Sequence, residues 1–179
     1  MVTDGRVARD ATEVDAAACA AVYAPYVRDT AVSFELEPPD AAEIARRMAV
    51  AQAAHAWLVL DDPGRGVVGY AYGGAWKVRE AYAWTCEVSV YVAAGRTGGG
   101  AGRALYAALL PRLAGLGYRR AVAGSTLPNP ASEGLHLACG FEQVGVFRRV
   151  GWKLGRWHDV AWFQRDLDAP RPPQENSAL

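Results

Sequence analysis

Hydrophobic spacing changes period several times along the chain, and each change marks an element. Arg6–Ala11 predicts a short strand. Val14, Ala17, Ala18, Ala21, Val22 and Tyr26 then recur at helical spacing, so a helix is expected from Val14 to Tyr26. Asp10 or Thr12 is its expected cap, and Pro25 implies an irregular end. Ser33-Phe34-Glu35 falls in a loop or short extended piece, and Pro38-Pro39-Asp40 opens a second helix through about Ala54, with Ile44 and Met48 on one face. Trp57–Leu60 is an apolar strand, Asp61–Gly66 has the chemistry of a turn, and Val67–Ala75 returns as the hairpin partner. Trp84–Val92 supplies a third strand. A glycine cluster, Gly98-Gly99-Gly100 with Gly102, precedes a helix from Arg103 to about Leu116 that Gly117 stops. Arg120–Ala123 reads as a strand and Pro130–Cys139 as a helix ending at Gly140. Phe141–Lys153 and Trp157–Leu167 close the chain as strands. This order predicts an α/β or α+β fold around a mixed sheet, with a helical crossover from the strand ending at Val92 to the strand near Val122. One domain is expected over residues 1–168, with 169–179 as a proline-rich, polar, disordered tail.

Charge narrows the function classes. Lys plus Arg and Asp plus Glu number 19 each, so no bulk field favours nucleic acid or an anionic membrane. No apolar run approaches the length of a membrane span, and the first six residues carry no export pattern. Cys19, Cys86 and Cys139 show no pairing pattern, which reads as reduced thiols in a cytoplasm. His55, His136 and His158 have no metal-ligand spacing, so no metal is expected.

The segment Val90-Tyr91-Val92-Ala93-Ala94-Gly95-Arg96-Thr97-Gly98-Gly99-Gly100-Ala101-Gly102-Arg103 is a strand, a glycine turn and a helix start. Such a turn exposes backbone N–H groups at a helix N-terminus, where they and the helix dipole bind phosphate oxygens. A P-loop would need Lys and Ser or Thr where Ala101 and Gly102 stand, and a dinucleotide fingerprint would need Gly or Ala where Arg103 or Leu105 stands. The diphosphate of coenzyme A is the third possible ligand, and a plain glycine-rich turn is the alternative.

The turn resembles that of the GNAT acetyltransferases, Gln/Arg-x-x-Gly-x-Gly/Ala, with Thr97 departing from the first position. Leu127-Pro128-Asn129-Pro130 leading to Cys139-Gly140-Phe141 matches the family's next loop and helix. More narrowly, Trp76-Lys77-Val78-Arg79, Tyr82-Ala83-Trp84-Thr85-Cys86-Glu87, Gly151–Val160 and Ser33-Phe34 resemble the phosphinothricin (methionine sulfoximine) acetyltransferases, in order over residues 6–168.

The resemblance implies a GNAT fold, with a mostly antiparallel sheet and a splayed parallel strand pair that holds acetyl-CoA. It implies acetyl transfer to a small amino-acid-like amine and, often, a homodimer. Glu87 is then the base that deprotonates the amine, and Ser89 and Tyr91 share its strand face while Cys86 and Val88 point away. Without the resemblance Glu87 would read as an exposed or salt-bridged carboxylate. Amides near Val90 and Tyr91 would hold the oxyanion. Cofactor contacts are expected from Val90, Tyr91, Val92, Gly98, Gly99, Gly100, Ala101, Gly102, Arg103 and Asn129. Asn129 also fits as a helix cap. His136 is either a partner for the leaving thiolate or a helix histidine packed beside Phe141. Phe34, Lys77, Arg79, Tyr82 and Tyr91, with Glu87, are expected at the acceptor, although Lys77 and Arg79 also suit a solvated basic loop. Arg148, Arg149 and Lys153 read as strand-surface charges, and His158-Asp159 as a hydrogen-bonded structural pair. The rival readings are acetylation of another amine, either a polyamine, which the basic loop disfavours, or a protein N-terminus, and a non-catalytic acyl-CoA-binding module, which would need no base at Glu87.

Overall fold

The computed structural model of the chain describes residues 2–3 and 5–167; the expected disordered tail lies outside the described residues. Its strands are β1 (Val2–Thr3), β2 (Arg6–Asp10), β3 (Trp57–Asp62), β4 (Gly66–Ala75), β5 (Thr85–Val92), β6 (Arg120–Thr126), β7 (Glu142–Lys153) and β8 (Arg156–Asp166). They form one sheet in the spatial order β1-β2-β3-β4-β5-β6-β8-β7. Every neighbouring pair is antiparallel except β5 and β6.

Among the described residues four α-helices cover the sheet: α1 (Ala16–Asp29), α2 (Ala41–Ala54), α3 (Ala101–Gly115) and α4 (Pro130–Ala138). Two apolar clusters follow. Val22, Tyr23, Ile44 and Met48 of α1 and α2 pack on Trp57, Val59 and Tyr70. Leu105, Tyr106, Leu109 and Leu113 of α3 pack on Leu58, Leu60, Ala71, Cys86 and Val88 from the other side. Coverage on both faces explains why Trp57-Leu58-Val59-Leu60 is apolar without alternation.

Several boundaries differ from expectation for local reasons. Glu13–Asp15 forms a separate 3₁₀ turn with a Thr12/Asp15 capping box, so Val14 falls off the core face and is 86% exposed. Pro25 lies inside α1, which continues to Asp29 because Val22, Tyr23 and Val27 are buried on either side of it. β6 runs on to Thr126 because β8 pairs with it along its whole length. Helix α3 begins two residues before Arg103, which puts Gly102 in its first turn.

Candidate active site

The parallel pairing of β5 and β6 is short. Thr85, Cys86 and Glu87 face Arg120, Ala121 and Val122, and no register continues beyond them. The edges of Val88–Val92 and Ala123–Thr126 that face each other therefore keep unpaired backbone groups, which a ligand carrying amides can satisfy. A narrow cavity of about 50 Å³ occupies this gap, lined by Val90, Tyr91, Asn129 and His136 together with Ser89, Tyr106 and Ser125. The Ser125 hydroxyl is buried and has no hydrogen-bond partner, so it is a polar group left for a ligand.

At the mouth of the gap stands the glycine turn. Gly98 and Gly100 sit at φ 81° and 77°, a conformation that costs an L side chain about 1–2 kcal/mol. Gly100 is the N-cap of α3 and contributes no side chain to it. By contrast, Asp40 caps α2 at Glu43 N and Asn129 caps α4 at Ser132 N. The first amides of α3 are thus free for an external anion. They open on a cavity of about 360 Å³ lined by Val90, Val92, Gly98, Gly100, Ala101, Gly102, Arg103 and Asn129, with Arg96 and Tyr26. Two arginines and no carboxylate line it, a balance suited to a diphosphate. Tyr26 donates to Val92 O at 2.6 Å and fixes the strand end beneath the turn. Of the expected cofactor contacts, Gly99 alone does not line either cavity; its carbonyl accepts from Arg6.

Glu87 occupies the last position at which β5 pairs with β6, and Gly74 lies opposite it on β4, so no side chain covers the carboxylate from the β4 side. Burial raises its pKa above the ordinary glutamate range, and the Lys77 charge opposes that shift. Cys86 points into the α3 core as expected, and burial pushes its thiol up to about 12, which leaves it without nucleophilic thiolate at neutral pH. The Tyr91 ring packs among Tyr23, Tyr26 and Tyr70, with centroids 4.7, 5.3 and 5.4 Å away, so it forms the floor of the site within an aromatic cluster.

His136 is 3% exposed and stacks on Phe163 at 5.0 Å. Its Nδ1 lies 2.8 Å from Ser132 O, a pure acceptor, so Nδ1 carries the proton and Nε2 accepts from the Tyr106 hydroxyl at 3.1 Å. Burial lowers its pKa, against the pull of the Ser132 carbonyl. The pair therefore presents a phenol and a neutral imidazole to the gap. Tyr106 escaped the sequence reading because it stands among leucines at a helical core position.

The acceptor candidates fall on two loops. Lys77, Arg79 and Tyr82 follow β4; Tyr82 meets Trp76 edge-on at 5.1 Å, and the Lys77 ammonium lies 5.3 Å from the same indole. Val78 and Arg79 are exposed. Phe34 comes from the α1–α2 loop and lies over Gly151, where an added Cβ would fall 2.2 Å from its ring. Lys153, expected on the surface, is 5% exposed instead: its Nζ donates to Val27 O at 2.6 Å and Ser33 O at 2.7 Å. An ammonium on a long stem reaches the α1 C-terminus, where carbonyls lack helical partners. His158 and Asp159 also depart from the expected pair. His158 Nε2 contacts Lys153 O at 3.0 Å, whereas Asp159 accepts from Arg149 N at 2.7 Å. Beside β4 a further cavity of about 420 Å³ reaches Tyr72 and Gly74 from α2, but its Arg47 is already held by Glu35 and Glu43. Arg46, which also lines that cavity, pairs with Glu43 as well, whereas Arg79 is exposed on the loop after β4.

No group of three or more His, Cys, Asp or Glu suited to a metal occurs among the described residues, and no helix there is long and apolar enough to cross a membrane. The chain matches the acetyltransferase (GNAT) domain over residues 9–162. It is 39% identical to a phosphinothricin N-acetyltransferase of Streptomyces viridochromogenes over 93% of this chain and 90% of that one. It is 37% identical to an L-methionine sulfoximine/L-methionine sulfone acetyltransferase of Pseudomonas paraeruginosa, covering 91% and 95%. Its fold superposes with a TM-score of 0.90 on a GNAT superfamily phosphinothricin acetyltransferase of Sinorhizobium meliloti in complex with acetyl-CoA, at 34% identity and 96% and 94% coverage. By these matches the chain belongs to the GNAT acetyltransferases and uses acetyl-CoA as its acetyl donor.

Proposed function

We propose that this enzyme acetylates the amine of a small amino-acid-like acceptor, with phosphinothricin and methionine sulfoximine as the first acceptors to test. The observation that carries the reading is the alignment along β5: a half-buried carboxylate at residue 87, an edge unpaired with β6 beyond it, and free amides at the start of α3. The free amides and Arg103 hold the diphosphate. The open edges of β5 and β6, Ser125 and Asn129 receive the amide-bearing arm. This sets the thioester beside Glu87, whose carboxylate takes a proton from the acceptor ammonium, directly or through a water, and so frees the lone pair that attacks. Amides near Val90 and Tyr91 stabilise the oxyanion. His136 serves the leaving-group side together with Tyr106. Transfer is direct, and the buried thiol of Cys86 supports a mechanism without a covalent enzyme intermediate.

The acceptor's acidic groups call for cations. Arg79 provides a bidentate fork, Lys77 a second charge, and Phe34, Tyr82 and Tyr91 the walls. A thiol-release assay with acetyl-CoA and a panel of phosphinothricin, methionine sulfoximine, common amino acids and a polyamine tests the reading; preference for the polyamine would overturn it. In the same assay Arg79→Ala is expected to raise KM for the amino acid by about 10- to 100-fold, the worth of a charge-assisted pair, with a much smaller change for acetyl-CoA.

We further propose a homodimer built on the closing strands. β7 is the sheet edge, exposed along Glu142–Val150, and it carries Val144, Val146, Phe147, Val150 and Trp152 with Trp157 of β8 beside them at 56% exposure. Trp162 lies under Phe147 at 6.4 Å and supports the same patch. A row of exposed apolar residues on a strand whose outer edge is unpaired suits a second copy of the chain. Sedimentation is expected to give a two-chain species that Trp152→Glu reduces to one.

A further inference from the structure

We infer that Arg6 is a positioning residue for the cofactor turn: it holds the Gly99 carbonyl on the sheet side and so aims the Gly100 amide into the diphosphate cavity. The inference rests on the reading that the diphosphate sits at this turn. Arg6 opens β2, 93 positions before Gly99, and its Nη1 donates to Gly99 O at 3.0 Å. Its Nε lies 3.3 Å from Asp62 Oδ2 at the end of β3, and both side chains are largely covered, at 19% and 13% exposure. The guanidinium is therefore a fixed strut between the sheet and the turn.

The geometry of one peptide unit does the rest. In a planar trans peptide the C=O and N–H bonds point in opposite directions. Fixing the Gly99 carbonyl toward Arg6 turns the Gly100 N–H the other way, and Gly100 lines the cavity whereas Gly99 does not. This peptide needs a strut because it is flanked by glycine on both sides. Neither residue has a Cβ to bar rotation of the plane, and no side chain of the turn itself caps α3. If the plane rotated, a carbonyl oxygen would face the phosphates and a donor would be lost. Thr97 stands where the family pattern has Gln or Arg, so the local sequence lacks that longer polar side chain. A contact from across the sheet supplies the restraint.

The test compares acetyl-CoA with S-acetylpantetheine, an acetyl thioester without the diphosphate, in wild type, Arg6→Met and Arg6→Lys. For Arg6→Met the ratio of kcat/KM for acetyl-CoA to that for S-acetylpantetheine is expected to fall about tenfold, through KM for acetyl-CoA. Arg6→Lys, which keeps one donor, should recover part of it. The loss should persist at 0.5 M salt, where a long-range attraction between Arg6 and the phosphates would be largely screened. An unchanged ratio, or a loss that disappears in salt, overturns the inference while leaving the diphosphate reading intact. If wild type itself does not prefer acetyl-CoA, the diphosphate reading falls and takes the inference with it. Thermal melts of both variants separate misfolding from the effect, because a general loss of folded enzyme lowers both rates and leaves the ratio alone.

Discussion

Glu87→Gln is expected to lower kcat by about two to four orders of magnitude at neutral pH, the usual worth of a positioned base, while acetyl-CoA still binds. The amide keeps the shape and part of the hydrogen bonding of the carboxylate but has no basic oxygen. Burial holds the wild-type carboxyl above the ordinary glutamate range, so the acid limb of the pH–rate profile should lie higher than for an exposed glutamate. That limb should vanish in the variant. The same shift carries a stability consequence. A group whose folded pKa is raised contributes stability at pH values below its unfolded pKa and loses it as pH rises through the folded value. At neutral pH the ionised Glu87 therefore costs stability, and Glu87→Gln should melt at a higher temperature than wild type. A variant with full turnover, measured by thiol release against the best amine, would remove Glu87 from the mechanism.

Lys153→Met is expected to destabilise the fold by about 2–4 kcal/mol, because two buried carbonyls, Val27 O and Ser33 O, lose their donor together. For a chain of this size that corresponds to a fall in Tm of roughly 5–15 °C. The methionine relieves the cost of burying an ammonium, which burial already registers as a lowered pKa opposed by Glu35. It cannot bond the carbonyls, and their desolvation remains. The functional effect should be selective. Ser33 adjoins Phe34, so loosening this loop raises KM for the amine and leaves KM for acetyl-CoA nearly unchanged. Thermal denaturation and paired KM measurements check both parts; a Tm within a degree of wild type would show that the carbonyls find other partners.

The strand, turn and helix start to which the cofactor is assigned were legible in the sequence because they are local. A strand, a glycine turn and a helix start occupy adjacent positions, and the side-chain parity of β5 separated Glu87 from Cys86 before any coordinates. Element types followed from helical spacing in α1 and α2, from the glycines that bracket α3, and from turn chemistry between the apolar runs of the β3–β4 hairpin. What escaped depends on long-range packing. Lys153 looked like a surface charge because nothing nearby in sequence announces the Val27 and Ser33 carbonyls, more than a hundred positions away. Arg6 and Tyr106 were hidden for the same reason: one crosses from another strand to the turn, and the other resembles a core residue of an apolar helix. Val14 misled because a 3₁₀ turn shifts the phase of the helix that follows.

The seating of Phe34 against Gly151 also orders the making of the enzyme in time. The proposed cofactor contacts lie within residues 85–136, whereas the proposed acceptor wall joins residue 34 to the last hairpin. During synthesis the early loop must wait for more than a hundred further residues before its ring finds a surface. Because β6 takes its full-length partner from β8 and His136 stacks on Phe163, a nascent chain would gain both the hold on a thioester and the choice of amine only when that hairpin docks.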